Sequence, residues 1–168
     1  DAQEALETKR GVTIAVSRNE LPLYRRGSRP WQRIRYQSAE AKELPVRWIA
    51  EAADGRVWAA AKHGLFEITG FETEQLRLQR IGTDLGQSYI SEFKRDREGA
   101  LWLLGEGLWA KYEQGEWREQ MAPACMLSPK FRSFALRSEN EIWIAYRNSA
   151  PVTRVIHSAN GWTCQHYG

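Results

Sequence analysis

The chain has 168 residues, with 24 Lys or Arg, 21 Asp or Glu, eight Trp and a formal net charge of +3. A hydrophobic fraction of 42% excludes a disordered chain, and no apolar run approaches the roughly 20 residues that a membrane-spanning helix needs. The length predicts one domain or one piece of a larger domain. Because the sequence begins at Asp1 and carries no signal-peptide pattern, we expect a chain cut from a longer protein.

Basic residues are concentrated in one stretch near the start of the chain. These residues are Arg25, Arg26, Arg29, Arg33 and Arg35. Such a stretch could bind phosphate or an anionic membrane surface. Charged side chains are also typical of a solvated strand edge, where they discourage pairing with another edge, and we favour that interpretation. The mild overall charge predicts no nucleic-acid partner.

A strand, a tight turn and an aliphatic–Trp pair recur three times along the chain. The Trp residues that close these pairs are Trp58, Trp102 and Trp143, at separations of 44 and 41 residues. The turns before them carry Gly55, Gly99 and Asn140, residue types that tolerate the positive φ of a tight hairpin.

A weaker copy precedes these three. Residues 11–16 match the second strand of the other copies, with Thr13 where the others carry Trp. A second Trp family closes the units at Trp31, Trp117 and Trp162, with Leu78 in the remaining slot.

Each unit contains three turns and therefore four strands. Tandem four-stranded units of a little over 40 residues predict an all-β chain of β-propeller blades. We predict one propeller segment over residues 1–168, with approximate units 1–40, 41–85, 86–128 and 129–168. A single blade cannot bury both faces, so we expect the six Trp residues of the two families to act as wedges between neighbouring sheets.

The turn-and-Trp pattern resembles the two-component regulator propeller repeat. It is carried by residues 54–58 with Gly64-Leu65-Phe66, and by residues 98–102 with Gly107-Leu108-Trp109. The resemblance implies a periplasmic, ligand-sensing and non-catalytic region of a bacterial membrane-bound histidine kinase or diguanylate cyclase. The membrane is then contacted only through the full-length protein.

Four units are few for a propeller, which has roughly four to eight blades. We therefore expect a fragment whose open edges pair with other blades or with a second copy of the chain.

A ligand site is predicted on one face of the propeller. The loop between the second and third strands of each blade emerges on the same face as the loops that link consecutive blades. The residues predicted to line that site are Lys62, His63, Glu106, Arg147 and Asn148. Their cations favour an anionic small molecule, since Arg matches carboxylates in a bidentate manner.

No cofactor or metal is expected. Residues 105–110 fit the pattern GxGxxA, but a further strand follows instead of the helix that a dinucleotide site requires. The three His residues lack metal-ligand spacing. Cys125 and Cys164 could form a disulfide or remain free thiols.

Two other functions stay open. Propeller surfaces also serve as protein-binding or dimerisation scaffolds. Streptogramin lyases are propellers with a similar repeat, and an enzyme of that kind would require His63 and Glu106 to act together on one face.

Overall fold

The strands of the first half of the chain form two sheets. The computed structural model describes residues 2–17, 20–37, 45–73, 75–81, 85, 89–147 and 151–168. The first sheet contains β1 (Ala2–Glu7), β2 (Val12–Ser17), β3 (Leu23–Arg26) and β4 (Gln32–Arg33). The second contains β5 (Arg35–Tyr36), β6 (Val46–Glu51), β7 (Val57–Ala61), β8 (Gly64–Thr69) and β9 (Arg77–Arg80).

Two further sheets follow in the second half. The third contains β10 (Ile90–Arg95), β11 (Leu101–Gly105), β12 (Leu108–Glu113) and β13 (Glu116–Met121). The fourth contains β14 (Phe131–Ser138), β15 (Glu141–Tyr146), β16 (Val152–Ser158) and β17 (Gly161–Tyr167). No helix among the described residues is long and apolar enough to cross a membrane.

Each sheet is an antiparallel meander, so the predicted propeller blades are confirmed. The second sheet departs from four strands, because β5 arrives from the preceding unit and pairs in parallel with β9. The four unit boundaries stay a prediction.

Three buried clusters hold the four sheets together, one between each pair of neighbours. Between the first and second sheets lie Ile14, Tyr24, Ile34, Phe66 and Leu78. Between the second and third lie Trp58, Leu65, Phe93, Leu103 and Tyr112. Between the third and fourth lie Trp102, Trp109, Phe134, Ile144 and Val155.

The burial pattern of the second strand differs between the inner and the outer sheets. Every residue of β7 and of β11 is buried, because neighbouring sheets cover both faces. In β2 and β15, buried residues alternate with half-buried ones. The first and fourth sheets are therefore covered on one face only.

Four of the six predicted Trp wedges lie between sheets. The ring of Trp58 meets that of Trp117 at 5.3 Å and 83°. Trp162 meets Trp109 at 5.7 Å and 79°, and Trp102 belongs to the same cluster. Trp109 is 0% exposed, although it belongs to neither Trp family of the sequence.

The remaining two Trp residues do not lie between described sheets, so their role as wedges stays a prediction. Trp31 is 43% exposed, and its ring is covered by the guanidinium of Arg25 from its own sheet. Trp143 is half-buried and stacks on Tyr167, also within one sheet. Both side chains lie on faces against which no described sheet packs.

The placement of Thr13 in the Trp slot is also wrong. Gly11 donates its backbone N–H to the Thr8 carbonyl, as Gly99 does to Asp96 at the equivalent turn. Because Trp102 lies three residues after Gly99, the equivalent residue after Gly11 is Ile14. Ile14 is fully buried, and Thr13 lies on the opposite face.

The turn glycines behave as predicted, and Asn140 does not. Gly55 and Gly99 have φ values of 83° and 93°, a region that costs glycine little. Among the described residues other than glycine, Gln114 alone has positive φ, so the turn at Asn140 forms without it.

Carboxylates link the innermost strands of neighbouring sheets. Glu4 accepts a hydrogen bond from the backbone N–H of Ile49, and Glu92 accepts one from Phe134. Glu51 accepts from the backbone N–H of Lys9, in the first turn of the preceding sheet. These bonds satisfy backbone donors that no strand ladder satisfies.

Cys125 and Cys164 form a disulfide, which decides between the two alternatives left open by the sequence. It joins the segment that follows β13 to the outermost strand β17, across 39 residues.

Truncation of Trp109 tests the wedge packing. We expect Trp109→Ala to lower the free energy of unfolding by about 3–5 kcal/mol, because it opens a cavity between two sheets. The matched variant Trp31→Ala should cost at most about 1 kcal/mol, since it removes only an exposed cation–π contact. Urea denaturation measures both, and equal losses would contradict the assignment.

Glu141 on the open face of the fourth sheet predicts a pH dependence. Hydrogen bonds from Arg154 and then Trp143 lower the pKa of Glu141 from about 4.5 to about 2. Its stabilisation is therefore complete above pH 4.5 and is lost as the pH falls toward 2. Between these values, the urea midpoint should fall more steeply in the native protein than in Glu141→Gln; parallel slopes would refute the coupling.

Candidate functional site

The predicted site residues lie on what we call the loop face, the side on which the second strands end. Lys62 and His63 follow β7, Glu106 follows β11 and Arg147 follows β15. The first strands of neighbouring sheets contact one another, so they form the inner edge of the row of four sheets. Tyr89 directly precedes one of them, β10, and reaches the loop face at its inner edge.

Three of the predicted residues converge on Tyr89. The His63 ring lies 5.1 Å from the Tyr89 ring at 74°, and the Lys62 Nζ lies 5.2 Å from the ring centroid. Arg147 Nη2 is 3.5 Å from the Tyr89 hydroxyl oxygen. Side chains from the second, third and fourth sheets thus meet around one aromatic ring.

The backbone holds this cluster in place. Ile90 donates its N–H to the Lys62 carbonyl at 2.9 Å, and His63 forms an isolated β-bridge with Tyr89. Gly105 is required beside them, because a Cβ at that position would lie 2.2 Å from the Tyr89 carbonyl oxygen. Arg147 Nε also donates to the Phe131 carbonyl at 3.3 Å.

The cluster carries uncompensated positive charge. Within the described ranges, neither Lys62 nor Arg147 has a carboxylate partner. Both cations remain available to an anion placed over Tyr89.

The structure does not gather all five predicted residues. Glu106 is exposed, and no hydrogen bond or ion pair of the described residues joins it to His63. Asn148 lies outside the described residues. The sequence did not single out Tyr89 as a site residue, because its only local signal was a position at the start of a repeat.

A cavity of about 470 Å³ opens on the opposite face at the hairpin turns. Its charged and phenolic lining residues are Asp54, Glu98, Lys111, Tyr112, Glu113 and Glu139. These groups largely satisfy one another. Lys111 Nζ lies 2.7 Å from Glu113 and 3.6 Å from Glu139, and Tyr112 donates to Asp54 at 2.7 Å.

Electrostatics confirm that this cavity is internally paired. Burial works to lower the pKa of Lys111, but the hydrogen bond and charge of Glu113, with Glu139 and Asp96, raise it overall. Burial, and then the bond to Asp54, raise the pKa of Tyr112 to about 12. No three His, Cys, Asp or Glu side chains of the described chain converge to hold a metal ion.

Neither a family model nor a curated protein matches the sequence. Solved structures share its fold. An extracellular domain of a hybrid two-component system from B. thetaiotaomicron matches with a TM-score of 0.67 and 15% identity, over 98% of this chain and 23% of that one. An extracellular domain of a one-component system from the same organism gives 0.68 and 13%, over 96% and 22%.

An enzyme shares the fold as well. Virginiamycin B lyase from Staphylococcus aureus matches with a TM-score of 0.62 and 12% identity, over 97% of this chain and 54% of that one. The chain thus spans about half the length of the lyase and less than a quarter of the extracellular domains. The propeller architecture, and its likeness in fold to extracellular domains of two-component systems, are confirmed.

Proposed function

We propose that the chain is a ligand-sensing, non-catalytic propeller segment from the extracytoplasmic part of a bacterial membrane-bound signalling protein. The observation that carries this proposal is the cation pair Lys62 and Arg147 around Tyr89, without a carboxylate partner in the described chain. The likeness in fold to extracellular domains of one-component and two-component systems supports it.

The disulfide supports an extracytoplasmic location. Cys125 and Cys164 are paired, and such bonds persist in oxidising compartments such as the bacterial periplasm. The neighbours from two-component systems are extracellular domains as well.

A small anion bound over Tyr89 would contact three sheets at once. Arg147 offers a planar fork that matches a carboxylate, Lys62 adds a second positive charge, and Tyr89 provides an apolar surface. Because binding stabilises the state that binds, the ligand would fix the relative positions of these blades. That change is what a signalling domain could transmit.

Charge reversal at Arg147 tests the site. A thermal-shift screen of organic acids, amino acids and sugars should find an anion that raises the melting temperature. Arg147→Glu should weaken that ligand by about tenfold or more, since it replaces a charge-assisted bond with repulsion. Arg97→Glu, the same charge change at an exposed turn, is the control, and equal losses in both variants would refute the site.

The likeness in fold to lyases supports an enzyme as the second candidate function of this chain. One of them is a catalytically inactive variant of virginiamycin B lyase with quinupristin, in which alanine replaces a histidine. His63 is the histidine of the loop face cluster here. If His63→Ala abolished turnover of a lactone substrate, the enzyme would be supported; unchanged ligand binding without turnover supports the sensor.

We also propose that the two uncovered sheet faces pack against further blades, a second copy of the chain being one source. Arg25 and Trp31 lie on one face, and Trp143 and Tyr167 on the other. If a second copy covers them, light scattering should give a dimer that Trp143→Asp dissociates, whereas Trp109→Phe leaves it intact. A compact monomer at all concentrations would exclude the second copy.

A further inference from the structure

A groove at the outer rim of the first two sheets gathers arginines from both. It has a volume of about 550 Å³ and is lined by Tyr24, Gln32, Arg33, Arg35, Tyr36, Gln75, Leu76 and Arg77. We call it the arginine groove. None of its lining residues belongs to the cluster around Tyr89, because the groove lies along fourth strands, whereas Tyr89 precedes a first strand.

The backbone that crosses between the two sheets fixes the arginines. Ile34 donates its N–H to the Pro22 carbonyl in the first sheet, and Gln37 donates to Leu78 in the second. Ile34 between them is fully buried. Arg33 and Arg35 flank this anchor, so both are directed to the exposed side of the segment.

The pairing of β5 with β9 places two positive charges opposite each other. Arg35 and Arg77 are direct partners in that parallel pair. Like charges opposite each other across strands destabilise the pairing. The sequence alone favoured a solvated strand edge for this stretch, and β4 and β5 are indeed edge strands of their sheets.

Among the described residues, no acid neutralises these charges. Arg33, Arg35 and Arg77 have no carboxylate partner and no side-chain hydrogen bond in the described part of the chain. Beside them, Tyr24 donates to the Gln32 amide oxygen at 2.7 Å, which leaves the amide nitrogen of Gln32 as a further donor. The three guanidinium groups and the Gln32 amide nitrogen can therefore donate to anionic oxygen.

We propose that the arginine groove binds a small organic or inorganic anion with two or more carboxylate or phosphate groups. Three guanidinium groups match such groups in bidentate geometry, and a bound anion relieves the repulsion between Arg35 and Arg77. The volume falls within the range of about 300–1,000 Å³ that is usual for small-ligand sites. A concave site favours a small ligand over a flat membrane surface.

Calorimetry with citrate and with pyrophosphate at constant ionic strength tests this site on the whole chain. We expect at least one probe to bind, and Arg77→Ala to weaken it by about tenfold or more. Arg77→Lys should retain part of the affinity, because the positive charge remains. The other part should be lost with the planar guanidinium group. Arg97→Ala, which removes an exposed arginine from a turn, should leave the dissociation constant unchanged, as should Arg147→Glu on the loop face.

The two probes separate carboxylate from phosphate ligands. Binding of either one supports the site if Arg77→Ala weakens it and Arg147→Glu does not. The absence of binding by both, or equal losses in Arg77→Ala and Arg97→Ala, would overturn it. Binding to phosphatidylglycerol vesicles that depends on Arg77, without binding of either soluble probe, would also overturn it and assign these arginines to a membrane surface. Since Arg147→Glu tests the loop face separately, failure of one site is distinguishable from failure of the other.

Discussion

Burial of the two inner sheets between neighbours is the constraint on which the rest of this structure depends. A four-stranded meander has two faces, and its own side chains cannot cover either. The apolar strands β7 and β11 are stable here because sheets pack on both sides of them. The aromatic wedge between Trp58 and Trp117 fills such an interface, and a carboxylate such as Glu92 satisfies the backbone donor exposed along its inner edge.

The same constraint explains the two ends of the stack. Thr13 and Arg25 occupy positions that are apolar in the inner sheets, and the exposed ring of Trp31 is covered by Arg25 alone. On the fourth sheet, the ion pair of Glu141 with Arg154 lies beside Trp143. Polar residues and half-buried aromatics are a composition that suits an interface better than a fully solvated face.

The repeat could be predicted because residues close together in the sequence mark each unit. Gly55 and Gly99 mark positive-φ turns, and a Trp three residues later marks the buried second strand. The first copy was displaced by one residue because an alignment on Thr13 ignored the turn glycine Gly11. Contacts between units were harder to predict. Tyr89 joins its site through a bridge to His63 of the second sheet, and Arg77 joins its site through Arg35, which arrives from the preceding unit.

The cationic side chains of this chain differ in whether a carboxylate lies close enough to pair with them. At the hairpin turns, Lys111 is held by Glu113 and Glu139, so that cavity is already neutralised. On the loop face and in the arginine groove, Arg147 and Arg77 have no such partner in the described chain. Because the sheet faces are buried against one another, binding sites are left to the loops and the outer rim. The composition alone does not reveal that cations without a carboxylate partner lie at those positions. A net charge of +3 conceals two local excesses of positive charge, each at a junction between sheets.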